Sequence, residues 1–134
     1  RGILTGITRD TGKAEIVRAA LESVAYQTND LLVSVTGNKI KPRFLKIDGG
    51  MVRNNWLAQF LSDILKLNID RSKIEETTAL GISFLAGLGV GVYKNLNEVS
   101  KIWKRDKRFT PRMKNSTRKE SIAGWKKAIE RTLC

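Results

Sequence analysis

The chain has 134 residues, enough for one domain with a buried core, and its 41% hydrophobic and 28% charged residues are typical of a globular protein. It contains no histidine, and its single cysteine is Cys134, so the sequence excludes a disulfide framework, a Ser-His or Cys-His catalytic pair and nearly every zinc site. The longest apolar run, residues 79–93, is too short and too rich in glycine and serine to span a bilayer. We therefore expect a cytoplasmic protein with no membrane partner.

The formal net charge of +12 is the one compositional feature that favours a polyanion as partner. Nine of the Lys and Arg residues lie between residues 101 and 119, against a single aspartate. This segment lacks the interleaved aromatic residues, recognition helix or Cys/His framework of a nucleic-acid module. We do not expect nucleic-acid binding, but a basic polyanion-binding module stays open as an alternative function.

The chain begins with a short, glycine-punctuated segment that we interpret as the tail of a larger unit. A long helix is predicted from about Gly12 to Gly37, with Asp10 or Thr11 as its cap and Glu15 in its first turn. Its predicted apolar stripe repeats at three- and four-residue spacing and consists of Val17, Ala20, Leu21, Val24, Thr28, Leu31 and Val35.

The central stretch of the sequence predicts a short buried strand at residues 44–47, followed by Asp48, Gly49 and Gly50 and then at once by an amphipathic helix. Ligands of open α/β sheets bind at the carboxyl ends of strands, where glycine gives access to the main chain and a helix N-terminus favours an anion. Asn54, one turn into the predicted helix, offers a donor and an acceptor to a base edge. A tight strand-to-helix connection without any ligand is the alternative.

The second half of the chain predicts a strand at residues 67–71, a polar loop at 72–77 and a helix at 78–93. Small side chains recur every four residues along this helix, which predicts close packing of the helix against the sheet in the core. They are Ala79, Ser83, Gly87 and Gly91.

Asn95 and Glu98 predict the start of a short helix over residues 96–102. The basic segment, residues 101–119, is predicted to be mostly loop, held by Phe109 and Pro111. Thr117 and Glu120 form the pattern of a capping box for a last helix. The apolar residues that this helix is expected to bury are Ile122, Trp125, Ile129 and Leu133. Helices therefore dominate, with about two strands, as in part of an α/β domain.

Four segments in this order resemble the FGGY family of carbohydrate kinases. Residues 18–31 (RAALESVAYQTNDL) are similar to the helix before that family's adenosine motif, and residues 48–55 (DGGMVRNN) resemble the motif itself. Residues 78–87 (TALGISFLAG) resemble the alanine- and glycine-rich helix that follows. The features that resemble the tail of the glycerol kinases within the family are Phe109, Pro111 and residues 124–129 (GWKKAI).

The resemblance implies an actin-like, ribonuclease-H-like fold of two domains with ATP and substrate between them. Residues 1–134 would form the carboxyl-terminal part of the second domain, helix-rich and lacking part of its sheet, with the amino-terminal domain absent. Gly49 and Gly50 would lie against the nucleotide through their backbone, and Asn54 would lie near the adenine. Asp48 would line the same side of the cleft or cap the turn that follows it.

The implied cofactors are ATP and Mg²⁺, and the implied role is the nucleotide-binding portion of an ATP:glycerol phosphotransferase. In that family the phosphate-binding loops, the glycerol contacts and the catalytic aspartate lie upstream, so no catalytic or metal-binding residue is assigned here. We expect the chain alone to be inactive and to meet glycerol only through the missing portion. A kinase remnant that retains only a protein interface, and forms a homo-oligomer through it, is a further alternative.

Overall fold

A computed structural model describes residues 2–37, 42–74 and 76–133. These residues form five α-helices, three β-strands and one 3₁₀ turn. In chain order the elements are α1 (Lys13–Thr36), β1 (Phe44–Ile47), the 3₁₀ turn (Gly50–Arg53), α2 (Asn55–Leu65), β2 (Asn68–Ser72), α3 (Thr77–Gly89), α4 (Leu96–Ile102), β3 (Arg105–Phe109) and α5 (Asn115–Glu130). The fold is a helix-rich α/β arrangement, as the sequence predicted.

The three strands form one mixed sheet in the order β1-β2-β3. β1 pairs in parallel with β2, and β2 pairs antiparallel with β3, with a register irregularity between Arg71 and Ser72. β1 is confirmed as a strand, but the expectation that it is buried was wrong. Among the described residues, β1 pairs with β2 alone, and Phe44 is 43% exposed.

β3 corrects the prediction of a mostly looped basic segment and raises the strand number from two to three. Its charged side chains are stabilised by partners on β2, since Arg108 pairs with the buried Asp70 across the two strands. Its last residue, Phe109, is buried opposite Ile69, so the predicted role of Phe109 in holding this segment is confirmed.

The core lies around α2, which packs between α1 and the sheet. Tyr26 of α1 joins this core, with its ring edge-on to Phe60 at 5.7 Å and stacked on Trp125 at 5.4 Å. The Trp125 indole N–H donates to Asp30 at 2.6 Å, which attaches α5 to α1. The buried residues of this cluster are Ala25, Tyr26, Ala58, Phe60, Leu61, Ile64, Leu65, Ile69 and Phe109.

The start of α1 differs from the prediction, because Gly12 and not Asp10 or Thr11 is the N-cap. The Glu15 carboxylate accepts a hydrogen bond from the Gly12 N–H at 2.8 Å, and backbone hydrogen bonds of this kind lower the pKa of Glu15. The predicted end is confirmed, since Gly37 closes the helix with a φ of 53°. The predicted stripe is only partly covered, and the buried side chains of α1 are Ala25 and Tyr26.

The end of α3 also differs, because this helix stops at Gly89 rather than at residue 93. The N–H groups of Val92 and Tyr93 both donate to the Gly87 carbonyl, at 2.8 and 3.2 Å, which turns the chain away from the helix. Gly87 is the buried residue of α3, and the Tyr93 ring covers it. The predicted packing of the small-residue stripe against the sheet was therefore wrong.

The last two helices show one confirmed start and one corrected start. α4 has the predicted bounds, and the Asn95 side chain accepts hydrogen bonds from the N–H groups of Asn97 and Glu98. α5 begins at Asn115, and its N-cap Lys114 lies three residues before the predicted cap Thr117. Ile122, Trp125 and Ile129 are partly buried, whereas Leu133 lies beyond the helix and is 80% exposed. No helix in the described part of the chain is long and apolar enough to cross a membrane.

Candidate functional site

The candidate site is the turn that joins β1 to α2. Gly49 has a φ of 89° and a ψ of 168°, a conformation that glycine adopts readily and other residues rarely do. No atom lies within 4 Å of the Cβ position at either Gly49 or Gly50, so the backbone here is open to an approaching group. The prediction that the helix starts at once after the glycines was wrong, because the 3₁₀ turn comes before α2.

Asn54 is the N-cap of α2 rather than a residue one turn into it. Its Oδ1 accepts hydrogen bonds from the N–H groups of Trp56 at 3.0 Å and Leu57 at 3.3 Å. These bonds satisfy two of the free donors at the start of the helix and occupy the acceptor of the side chain. The Asn54 amide nitrogen is therefore the part of the side chain that can donate to a ligand.

Asp48 connects the end of β1 to the start of α3. Its Oδ2 accepts a hydrogen bond from the Thr77 hydroxyl at 2.6 Å. The predicted alternative, in which Asp48 caps the following turn, is not what the structure shows, because the 3₁₀ turn has no side-chain cap. Asp48 instead links the glycine turn to the helix whose sequence resembles the family's alanine- and glycine-rich helix.

Arg71 of β2 contacts the same turn and was missed in the sequence. Its Nη1 donates to the carbonyl oxygens of Val52 and Arg53 and to Oδ1 of Asn55, at 3.0, 3.2 and 3.0 Å. Its Nε and Nη2 pair with Asp106 of β3 at 2.8 and 2.7 Å. Only the register of β1 against β2, which places Arg71 beside Ile47 at the end of β1, could have indicated this role.

A second arginine–aspartate pair joins β2 to β3 away from the turn. Arg108 donates to both carboxylate oxygens of Asp70 at 2.6 Å, and Arg105 lies 3.5 Å from the same carboxylate. These hydrogen bonds lower the pKa of Asp70, which is nearly fully buried. Two of the nine basic residues in the 101–119 segment thus have a buried acidic partner.

One open space beside the turn is a polar cleft of about 180 Å³. Small-molecule pockets usually measure about 300–1,000 Å³, so this cleft is too small to enclose a nucleotide by itself. It is lined by Asp48, Gly49, Val52, Arg53, Arg71, Ser72, Lys73, Ile74 and Asp106. The described residues contain no group of three or more His, Cys, Asp or Glu side chains that could hold a metal ion.

Residues 1–90 match the FGGY family of carbohydrate kinases, C-terminal domain. The chain therefore belongs to the FGGY family of carbohydrate kinases, which confirms the resemblance. Within this family it is 50% identical over 133 residues to glycerol kinase of Coxiella burnetii and 49% identical over 132 residues to glycerol kinase of Rhodospirillum centenum. These alignments cover 99% and 98% of this chain but 26% of each relative.

Solved structures of related kinases have the same fold. A crystal structure of Plasmodium falciparum glycerol kinase with ADP superposes with a TM-score of 0.82 at 40% identity, over 96% of this chain and 26% of that one. Ligand-bound xylulose kinase from Lactobacillus acidophilus gives a TM-score of 0.73 at 25% identity, over 96% of this chain and 25% of that one. The chain thus spans about a quarter of the length of the relatives that it matches.

Proposed function

We propose that this chain forms the adenosine-binding portion of an ATP:glycerol phosphotransferase. The observation that carries the proposal is the turn from Asp48 to Asn54, where two unobstructed glycines lead through one 3₁₀ turn to the capped N-terminus of α2. Relatives about half identical to this chain are glycerol kinases, and one related glycerol kinase was solved with ADP. Both facts support a nucleotide as the ligand of the turn.

The turn offers two kinds of contact to a nucleotide. The backbone at Gly49 and Gly50 can lie flat against a ring or a phosphate, because no side chain stands in the way. Asn54 can donate from its amide nitrogen to a ring nitrogen of adenine, while its Oδ1 remains bonded to α2. The helix cap thus fixes the orientation of the amide group before the nucleotide arrives.

The rest of the nucleotide site would come from outside this chain, which we place in the carboxyl-terminal part of the second kinase domain. A cleft of about 180 Å³ supplies one wall of a nucleotide site, not an enclosure. Mg²⁺ would be held by the nucleotide phosphates or by residues outside the described part of the chain, since no metal-ligand cluster lies within it. We expect no phosphoryl transfer to glycerol from this chain alone, because that reaction needs a positioned base and phosphate-binding donors.

The test is calorimetric titration of the chain with ADP and Mg²⁺, comparing the parent with Asn54→Ser and Asn54→Asp. Serine and aspartate both retain an oxygen that can cap α2, but neither retains the amide donor. We expect either change to weaken ADP binding about tenfold, the loss of roughly one hydrogen bond, with little change in melting temperature. Asn95→Ser is the matched control, because Asn95 caps α4 in the same way at a distant place in the sequence.

Repeating the titration at two salt concentrations separates adenosine docking from general attraction to the basic surface. Phosphate contacts give an affinity that falls steeply with salt, whereas contacts to a base ring depend on salt only weakly. ADP binding that falls steeply with salt and ignores both Asn54 variants would favour the polyanion-binding alternative. Absence of heat at millimolar ADP would contradict nucleotide binding by this portion of the kinase.

Exposed apolar side chains favour a protein contact as a second role of this chain. Val17, Leu31 and Val35 of α1 are all exposed, although they belong to the predicted apolar stripe of that helix. Such a face is suited to cover by another part of a longer chain or by a second copy. Size-exclusion chromatography over a range of protein concentrations tests the homo-oligomer, which requires an elution volume that depends on concentration.

A further inference from the structure

We propose that Arg71 is a positioning residue for the nucleotide-binding turn, which it holds against the sheet through a single guanidinium group. The effect of Arg71 on nucleotide binding rests on the proposed function, whereas its contacts with the turn do not depend on a nucleotide. Arg71 lies on β2, outside the segment of sequence that resembles the adenosine motif. It is therefore a determinant of the site that the motif does not contain.

The guanidinium of Arg71 joins three separate elements. On one edge its Nη1 donates to the carbonyls of Val52 and Arg53 and to Asn55 at the start of α2. On the other edge its Nε and Nη2 bind the Asp106 carboxylate of β3. The side chain is only 15% exposed, and its charged end lies 5.5 Å from the centre of the Phe109 ring.

The two carbonyls that Arg71 binds belong to the last residues of the 3₁₀ turn. Val52 and Arg53 close that turn just before α2, so Arg71 binds the main chain at the junction of the two elements. A charged donor makes stronger hydrogen bonds than a neutral one, and only the arginine fork reaches several acceptors in one plane. Arg71 thereby fixes the direction in which Gly49, Gly50 and Asn54 face.

Arg108 provides a control within the same molecule. Arg108 of β3 donates to Asp70 of β2 through a bidentate contact, just as Arg71 of β2 donates to Asp106 of β3. Unlike Arg71, it has no hydrogen bond to the glycine turn among the contacts of the described residues. Comparing the two arginines separates support of the turn from support of the β2–β3 pair.

The experiment compares Arg71→Lys and Arg108→Lys with the parent in two measurements. Hydrogen exchange by NMR, without nucleotide, follows the amides of Val52, Asn54 and Trp56, which are hydrogen-bonded within the turn and the cap. Titration with ADP follows binding. For Arg71→Lys we expect exchange of these amides to be about tenfold faster and ADP affinity to be about tenfold lower, because lysine cannot replace the fork. For Arg108→Lys we expect both quantities to stay within about twofold of the parent after correction for global stability.

A second variant keeps the test decisive if Arg71→Lys folds poorly. Asp106→Asn leaves Arg71 in place but removes the charge that orients it, so we expect a smaller change in the same direction. Unchanged exchange of the turn amides in Arg71→Lys would overturn the proposal, as would equal effects of the two arginine variants. If the parent does not bind ADP, the proposed function fails, and the exchange data alone still decide whether Arg71 positions the turn.

Discussion

The helix α2 follows β1 and the helix α3 follows β2, yet the structure buries the two helices very differently. α2 buries seven of its eleven residues, whereas α3 buries one of thirteen. α2 packs against α1, α5 and two strands, while the large apolar side chains Ile82 and Leu85 of α3 are exposed. Apolar residues at helical spacing predict that a face is suited to burial, but a packed neighbour must exist before the face is buried.

This difference has a direct consequence for the candidate site, because the glycine turn lies between the two regions. On one side the cap of Asn54 and the contacts of Arg71 attach the turn to the packed core. On the other side Asp48 attaches it to α3 through the Thr77 hydroxyl. A turn that is attached to the packed core on one side and to the largely exposed helix α3 on the other is suited to form one wall of a nucleotide site.

The largest contrast is expected from matched truncations in the two helices. Ile64 of α2 is fully buried, so Ile64→Ala should lower the free energy of unfolding by about 3 kcal/mol through lost burial and a cavity. Leu85 of α3 is 68% exposed, so Leu85→Ala should change it by less than about 0.5 kcal/mol. Urea denaturation measures both. Equal losses would mean that α3 is packed in solution against a surface that the structure leaves open.

The next effect concerns Asp70, the buried carboxylate that holds β3 to the core. Because Arg108 lowers its pKa, this carboxylate stabilises the fold above its unfolded-state pKa of about 3.9, and the stabilisation is lost as the pH falls through the lower, folded-state pKa. Asp70→Asn should lower the free energy of unfolding by about 2 kcal/mol at pH 7, since it removes a charge-assisted contact. Urea titrations at a series of pH values should show that the deficit shrinks as the medium becomes acidic. A deficit independent of pH would contradict the assigned role of the pair.

The elements that the sequence predicted well are those with local signals. Asn95 marked the start of α4 because a helix cap depends on residues three or four positions apart, and Gly37 marked the end of α1 for the same reason. β3 was missed because its residues, Arg105 to Phe109, carry no alternation of apolar and polar side chains. That strand exists because of Asp70 and Ile69 on β2, which are partners far away in sequence.

The same division holds for the candidate site. Gly49 and Asn54 could be selected from the sequence, since a positive φ and a helix start are properties of a few consecutive residues. The placement of Asn54 within a helix was wrong because the intervening 3₁₀ turn leaves no clear signal in the pattern. Arg71 could not be selected at all, since its role follows from strand register and from the carbonyls that happen to face it.

A smaller effect should distinguish the N-cap of α2, a helix that lies in the core, from the N-cap of α4, a helix that has no buried residue. Asn54 and Asn95 each accept two N–H hydrogen bonds, so Asn→Ala at either position removes about 1 kcal/mol from its own helix. Because α2 is part of the core, Asn54→Ala should show this loss in global unfolding by urea. Asn95→Ala should instead speed hydrogen exchange in α4 with little change in the global midpoint. An equal shift of both midpoints would show that α4 unfolds together with the core.

The smallest net effect is expected from adding a methyl group to two helical glycines. Gly124 of α5 has no atom within 4 Å of its Cβ position, so Gly124→Ala should stabilise the protein by about 0.5–1 kcal/mol through helix propensity. At Gly87 of α3 the new Cβ would lie 2.7 Å from the Tyr93 ring, which must move. The gain in propensity should then be offset, leaving stability within about 0.5 kcal/mol of the parent, with altered NMR shifts for Tyr93 and for Phe84, its edge-on neighbour.

The Gly87→Ala variant also tests the contrast in packing between α2 and α3, but by adding an atom where the truncations remove atoms. A ring that can move at little cost implies that only local contacts hold Tyr93, because a residue in a packed core cannot shift without disturbing its neighbours. Overpacking inside a well-packed core costs about 1–3 kcal/mol. A loss of that size at Gly87 would show that the end of α3 is as rigidly packed as α2. In that case α3 would be a rigid part of the candidate site and not its loosely packed edge.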